Sequence, residues 1–123
     1  MQLPPSEEEL MQHLWKLEKA FLKDLLGEYP DPKPAPTTVA TLIKRMTEKG
    51  FVGYEQMGRA RQYYPLVKKS DYFSKQVQGL IKKFFNNSAA QFASFFTSET
   101  ELSEEELKEL KTIVEKEIER KNQ

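Results

Sequence analysis

The segment from Pro36 to Leu66 places an amphipathic helix, a glycine and two short strands in immediate succession. At about 100° per residue, four apolar side chains fall on one side of the helix, as in a helix docked on a core: Val39, Leu42, Ile43 and Met46. Pro36 suits the first helical turn, where its missing N–H leaves no hydrogen bond unmade. Gly50 suits the position just past the helix end, where a left-handed backbone is needed. The helix is therefore predicted to begin at Pro36 and to stop before Gly50.

The opposite side of this helix carries small or hydrogen-bonding side chains. A DNA major groove admits a helix only if its leading face is slim, and Thr, Ala and Lys can meet base edges or phosphates there. An ordinary amphipathic surface helix would show the same periodicity, so the helix alone decides nothing. If it does enter DNA, the predicted contact residues are Thr37, Thr38, Ala40, Thr41, Lys44 and Arg45.

The residues after Gly50 indicate a hairpin with a basic tip. Strands are predicted over Val52–Met57 and Gln62–Leu66, because the gap between them is short and contains Gly58. The gap also holds Arg59 and Arg61, which could simply be solvated or could contact phosphates, the main source of non-specific DNA affinity. The joint order of helix, glycine, hairpin and basic tip predicts a winged helix-turn-helix, a mainly α fold with a small β-hairpin.

Positive charge is concentrated in the same part of the chain. Residues 33–69 contain eight basic and two acidic side chains, a net charge of +6, although the whole chain is neutral. Residues 1–32 carry −4 and residues 70–123 carry −2. A local basic stripe is the footprint of a nucleic-acid binder, whatever the total charge.

Two further helices and a turn are predicted before Pro36. Ser6 followed by Glu9 has the spacing of a capping box, which predicts the start of a first helix. A second helix is expected from about Lys19 to Gly27. The proline-rich run Glu28–Ala35 cannot be helical, and it separates the second helix from the third as the turn of a helix-turn-helix would.

After Leu66 the pattern becomes helical and rich in phenylalanine. Ser70 is expected to cap a helix from Asp71 to about Phe85, followed by a short apolar stretch over residues 89–96. A second capping box at Ser103 predicts a final helix. The predicted division is a winged-helix DNA-binding domain over residues 1–69 and a helical dimerisation region over residues 70–123.

Three helices in about fifty residues are too few to bury their own apolar side chains, which favours pairing with a second copy. Packing against the N-terminal part is the alternative. The predicted dimerisation residues are Phe73, Val77, Leu80, Phe84, Phe92, Phe96, Leu107, Leu110 and Val114.

Residues for most kinds of catalysis are missing. The chain has no cysteine, which excludes disulfides, thiolate catalysis and cysteine-based metal sites. His13 is the only histidine, and its position favours a surface residue over a metal ligand. The sequence shows no Gly-rich phosphate loop and no nucleophile–base pair. We therefore expect no enzymatic activity, no metal and no cofactor.

The expected location is the cytoplasm. No apolar run is long enough to span a bilayer, and the N-terminus lacks the charged and apolar parts of a signal peptide. The absence of cysteine also suits a reducing compartment.

Four stretches carry a resemblance to a known family: Pro36–Arg45, Lys49–Val52, Gln62–Val67 and Leu102–Leu110. On these motifs the chain resembles the BlaI/MecI family of bacterial penicillinase repressors over nearly its whole length. The resemblance implies a dimeric winged-helix repressor that binds double-stranded DNA at short inverted repeats and has a helical C-terminal dimerisation region.

The resemblance also implies control of β-lactam resistance genes and inactivation through a membrane sensor with a zinc-protease domain. That sensor triggers cleavage in the dimerisation region. The family's cleaved bond is Asn-Phe, and the matching place here reads Phe95-Phe96, the candidate cleavage residues. Known repressors carry Lys and Arg where this chain has Thr37 and Ala40, so their operator is not transferred. A copper-sensing branch of the family is disfavoured because it uses a cysteine cluster.

Three hypotheses follow. The leading one is a dimeric, sequence-specific repressor in which Thr37, Ala40, Thr41 and Lys44 face bases and three arginines hold phosphates. A winged-helix module for protein assembly is the alternative from another class, and a ligand-responsive regulator is the third. Salt dependence of duplex binding separates the first two, since only a DNA binder must release counterions.

Overall fold

The computed structural model describes residues 2–123, which form six helices and one two-stranded antiparallel sheet. The elements in chain order are α1 (Pro5–Leu17), α2 (Leu22–Glu28), α3 (Pro36–Glu48), β1 (Val52–Met57), β2 (Ala60–Pro65), α4 (Lys69–Phe84), α5 (Ala89–Glu99) and α6 (Glu104–Lys121). The predicted fold class, mainly α with a small hairpin, is confirmed. No helix within residues 2–123 is long and apolar enough to cross a membrane.

The chain divides into two compact units, one ending at Gln76 and the other beginning at Val77. The boundary thus lies well inside α4, whereas the sequence predicts a division after residue 69, the first residue of this helix. The first turns of α4 belong to the first unit because Tyr72 is buried in its core and Phe73 packs against it. What each unit does remains a prediction.

The core of the first unit is built by α1 and α3. Leu10, Met11 and Leu14 of α1 are buried, as are Val39 and Met46 of α3. All four residues of the predicted apolar side of α3 are buried, and Gly50 adopts a positive φ of 82° just beyond the helix. The predicted course of this helix is therefore confirmed.

The starts of α1 and α2 differ from the prediction. No side chain caps α1: the helix begins at Pro5, so Ser6 already lies within its first turn and the predicted capping box does not form. The predicted start of α2 at Lys19 is also wrong. Ala20 is held in an extended conformation by two backbone hydrogen bonds with Tyr63, Ala20 N to Tyr63 O at 2.9 Å and Tyr63 N to Ala20 O at 2.7 Å. This tertiary pairing overrides the local helical pattern.

The hairpin turn is tighter than predicted. Met57 pairs with Ala60, so the loop consists of Gly58 and Arg59 alone. Gly58 has a φ of 67°, the conformation that a two-residue hairpin turn of type II′ needs at its first position. Arg61 consequently lies on β2, not in the loop where the sequence pattern put it.

The second unit contains the rest of α4 together with α5 and α6. The predicted Ser70 cap is wrong because α4 already begins at Lys69. The short apolar stretch is the helix α5, and Ser88 caps it by accepting a hydrogen bond from the Gln91 amide at 3.1 Å. The capping box of α6 is confirmed, since the backbone amides of Ser103 and Glu106 each donate to the other residue's side chain.

Two polar contacts join distant segments of the first unit. The carboxylate of Glu7, buried in α1, forms an ion pair with the ammonium of Lys49 at the end of α3. The hydroxyl of Tyr72 accepts a hydrogen bond from the Leu3 amide at 2.9 Å and donates one to Glu8 Oε2 at 2.8 Å. The entry to α1 is thereby tied to both α3 and α4.

We expect Lys49→Met to destabilise the first unit more than Lys16→Met. Lys16 pairs with Glu28 at 2.9 Å, but its side chain is 70% exposed, so losing that pair should cost less than about 1 kcal/mol. Loss of Lys49 leaves the buried Glu7 carboxylate without a partner, at about 1–3 kcal/mol after allowing for the partial exposure of Lys49.

Urea unfolding of full-length variants measures this difference. Trp15, the only tryptophan, reports on the first unit because its indole N–H donates to the Val67 carbonyl at 2.8 Å. Equal unfolding midpoints for the two variants would show that the Glu7–Lys49 pair contributes no more than a surface pair.

Candidate nucleic-acid interface

The outer side of α3 is free of contacts with the core. The apolar residues of α3 are buried behind this side. All six residues that are predicted to touch DNA from this helix are exposed: Thr37, Thr38, Ala40, Thr41, Lys44 and Arg45. The N-terminal half of this side is uncharged and slim, and the cations lie further along. Glu48 follows at the end of the helix, so phosphates would be repelled there and attracted nearer its middle.

The hydroxyl of Thr41 is already committed as a donor. Its Oγ1 donates to the carbonyl of Thr37, one turn earlier, at 2.9 Å. This leaves Thr41 with a methyl group and free acceptor lone pairs on an exposed face. Such a residue can contact a thymine methyl or accept from an adenine or cytosine amino group, but it has no second proton to donate.

The positive charge around α3 is only partly available to a ligand. Lys49 is paired with Glu7, and Lys33 donates to the carbonyl oxygens of Leu26, Gly27 and Tyr29, at 3.2, 3.3 and 2.7 Å. Lys44 and Arg45 form no ion pair with any residue in the range 2–123. They are therefore the cations of α3 that can meet phosphates.

The hairpin presents its two arginines in different ways. Arg59 is exposed in the turn, whereas Arg61 stands on β2 with its guanidinium carbon 4.3 Å from the centre of the Tyr54 ring. The prediction grouped both as loop residues. Arg59 lies in the two-residue turn, outside the strand ladder, whereas the alternation of side chains along β2 places Arg61 on the same face as Tyr63.

The base of the hairpin is attached to the body of the first unit through Ala20. Its two hydrogen bonds with Tyr63 place a short extended segment beside β2, on the edge away from β1. Sequence reasoning missed this contact. Ala20 is one of only four residues between α1 and α2, a segment too short to show a periodic pattern that would predict the pairing.

His13 is not the surface residue that the sequence favoured. Its side chain is 16% exposed, and its ring meets the Tyr29 ring edge-on with centroids 4.5 Å apart. Burial raises the pKa of the Tyr29 hydroxyl, and the nearby negative charge of Glu9 raises it further. No cluster of potential metal ligands occurs anywhere in the described part of the chain.

The second unit leaves many large apolar side chains exposed. Among the predicted dimerisation residues, Phe84 is 67% exposed and Val114 is 56% exposed. Val77, Leu80, Phe96 and Leu107 are exposed as well, and Phe92 and Leu110 are half-buried. Phe73 differs from the others, since its ring packs beside Trp15 and Tyr72 in the first unit. Sequence alone could not separate it because it shares the apolar side of α4.

The candidate cleavage residues lie inside α5. Phe95 is 51% exposed and contacts the Phe85 ring at 5.5 Å between centroids, while the ring of Phe96 stacks on Phe92 at 6.0 Å. A protease binds an extended backbone, so access to this bond requires local unfolding of α5. Within residues 2–123, the Phe95 and Phe96 rings are nevertheless exposed and not buried in a core.

Comparison with known proteins identifies the family. A family profile described as penicillinase repressor matches residues 3–116. The methicillin resistance regulatory protein MecI of Staphylococcus aureus (strain N315) is 29% identical over 116 residues, 94% of each chain. The penicillinase repressor of Bacillus licheniformis is 27% identical over 123 residues, covering 99% of this chain and 96% of its own.

A solved structure agrees with the fold of the first unit. The solution structure of the DNA-binding domain of the repressor BlaI matches with a TM-score of 0.51 and 28% identity, over 58% of this chain and 88% of that domain. The resemblance drawn from the sequence motifs is thus confirmed. The chain belongs to the penicillinase repressor family, a family of DNA-binding transcriptional regulators and not of enzymes.

Proposed function

We propose that this chain is a sequence-specific repressor that binds an inverted-repeat DNA operator as a homodimer in the cytoplasm. The observation that carries the proposal is the exposed outer side of α3 next to a basic hairpin, in a chain of the penicillinase repressor family. Within each subunit, α3 enters the major groove and the hairpin follows the neighbouring backbone.

The roles of the α3 side chains follow from their chemistry. Thr37, Ala40 and Thr41 offer methyl groups and acceptors to base edges, and Lys44 reaches a base or a nearby phosphate. Three arginines hold phosphates: Arg45, Arg59 and Arg61. Thr38 lies at the edge of the same exposed surface and contacts the DNA backbone.

Dimerisation through the second unit explains its exposed apolar surface. The exposed apolar side chains of α4, α5 and α6 would make a monomer prone to aggregation, whereas a second copy covers them by a self-complementary contact. Two half-sites held at a fixed spacing then bind far more tightly than one, because the second contact becomes intramolecular. The part of α4 from Val77 onward, together with α5 and α6, provides this interface.

Its relatives, a methicillin resistance regulatory protein and a penicillinase repressor, support β-lactam resistance genes as the target. We propose release from DNA by proteolysis, initiated by a membrane sensor protease. Cutting the chain within the dimer interface would detach α6 from the DNA-binding part and weaken the contact that holds the two half-sites together. The Phe95–Phe96 bond is the proposed position.

Replacing Arg59 and Arg61 together with Ala should weaken binding to operator and random duplexes alike. For each phosphate contact that is lost, DNA binding releases about one counterion fewer. The slope of log K against log salt should therefore flatten by up to about two per subunit. Titrations at several salt concentrations measure this. The matched control is Lys108→Ala with Lys116→Ala on α6, which removes the same charge and should leave the slope unchanged. An unaltered slope in the arginine variant would show that the hairpin arginines do not contact DNA phosphates.

Thr41→Ser should weaken operator binding by up to about fivefold, the value of one methyl group removed from water. The hydroxyl and its bond to the Thr37 carbonyl are retained, so only the methyl contact is tested. Thr47→Ser is the control, since Thr47 makes the same bond to Ile43 on a flank of α3.

Replacing operator thymines one at a time with uracil removes the methyl group from the DNA side. At the contacted position the loss should match that of Thr41→Ser, and the two changes together should cost little more than either. If operator and random DNA lose affinity equally in Thr41→Ser, Thr41 does not read a base.

Val114→Asp should convert the dimer to a monomer at micromolar concentration, because it places a charge in the centre of the apolar stripe of α6. Thr112→Asp introduces the same charge on the opposite side of this helix and should leave the dimer intact. Sedimentation equilibrium of the full-length variants measures the association. A wild-type chain that is monomeric at tens of micromolar would exclude the homodimer.

Exposure of cells to a β-lactam, with the cognate sensor present, should yield a repressor fragment ending at Phe95. Mass spectrometry of the recovered chain locates the bond. Gene induction with an intact chain would show that release does not use cleavage.

A further inference from the structure

Tyr54 and Arg61 form a stacked pair on the exposed half of the hairpin. The guanidinium carbon of Arg61 lies 4.3 Å from the centre of the Tyr54 ring, within the range of a cation–π contact. Both residues are exposed, and Tyr54 retains 39% of its accessible surface. The pair therefore has no role in the buried core.

Strand register brings these two side chains together. Tyr54 faces Tyr63 and Arg61 faces Gln56 across the ladder, which makes Tyr54 and Arg61 diagonal neighbours on one face. The same face carries Val52, buried in the core at the base of the hairpin. A single face thus runs from the core to the exposed arginine.

Rigid contacts connect this face to the body of the first unit. The rings of Tyr54 and Tyr63 meet edge-on, with centroids 6.1 Å apart, and the backbone of Tyr63 is fixed by Ala20. At the other end, the side-chain amide of Gln56 donates to the carbonyl oxygens of Gly58 and Ala60, at 3.1 and 3.3 Å. The Tyr54 ring is therefore held between an anchored base and a closed turn.

Stacking on Tyr54 leaves the N–H edge of the Arg61 guanidinium free to bind a ligand. A ring contacts the flat face of a guanidinium, whereas phosphate oxygens bind to the N–H groups at its edge. Arg61 has no ion pair within residues 2–123, and Glu55 points to the opposite face of the hairpin. The edge of the Arg61 guanidinium is thus available to a ligand.

We propose that Tyr54 is a positioning residue that orients Arg61 for a DNA phosphate before DNA arrives. An unsupported arginine must give up rotamer freedom when it binds, and stacking on an anchored ring lowers that entropic cost. The inference rests on the proposed function, since it requires Arg61 to contact DNA. Tyr54, which carries no charge, thereby becomes a determinant of DNA affinity.

Three full-length variants test the proposal. Tyr54→Phe keeps the ring and should bind operator DNA within twofold of wild type. Tyr54→Leu removes the ring and should weaken binding about two- to tenfold, the entropic cost of ordering one arginine side chain on binding. Tyr64→Leu, which removes a ring from the opposite face of the hairpin, is the control for general loosening of the strands.

Salt dependence separates positioning from charge. Tyr54→Leu leaves the Arg61 charge in place, so its salt slope should equal that of wild type, whereas Arg61→Ala should lower the slope by about one per subunit. In the Arg61→Ala background, Tyr54→Leu should have no further effect. Trp15 fluorescence verifies that each variant is folded.

Each contrary result has a distinct meaning. A folded wild-type chain that binds no duplex, random or genomic, would overturn the proposed function itself. Wild-type affinity in Tyr54→Leu would overturn the positioning role alone. An equal loss from Tyr54→Leu with and without Arg61 would also overturn it, because the effect would not pass through the arginine. A loss in Tyr64→Leu as large as that in Tyr54→Leu would reassign the effect to the hairpin as a whole.

Discussion

Burial of one side of α3 against α1 is the contact on which the candidate interface depends. Val39 and Met46 are completely inaccessible, as are Leu10 and Met11 of α1. Removing these side chains from water supplies about 1.5–3 kcal/mol for each large one, which fixes the rotation of α3 about its axis. With that rotation fixed, the slim threonine-rich side must face outward. The exposed residues that we propose as base readers are therefore set by the packing of the residues behind them.

The hairpin depends on a contact outside its own two strands. An isolated two-stranded hairpin is at best marginally stable in water. Here Val52 inserts into the core and Ala20 bonds to the free edge of β2, so the base is rigid while the turn stays exposed. This arrangement lets Tyr54 and Arg61 project from a fixed platform. A rigid platform matters for DNA binding because phosphate contacts orient a protein only if the cations themselves are oriented.

In contrast to the first unit, the second unit leaves much of its apolar surface exposed. None of the residues of α5 or α6 is buried, although both helices carry an apolar side. Ser88 and Ser103 cap these helices, and the Ser103 amide holds the pKa of the Glu106 carboxyl below its usual value. Local capping therefore supports helices whose tertiary stabilisation is incomplete within one chain. A second copy is the proposed source of the remainder.

Local signals in the sequence were sufficient for the parts of this protein that local physics controls. The apolar period of α3, the glycines at 50 and 58 and the capping box at Ser103 each act within a few residues, so the chain determines them by itself. The late start of α2, the stacking of Arg61 on Tyr54 and the partial burial of His13 were decided only in the folded structure. Each of these depends on residues distant in sequence or across the strand ladder, such as the Ala20–Tyr63 pairing over 43 positions. Periodicity cannot encode such contacts, because it records which side of an element is apolar and not which element will cover it.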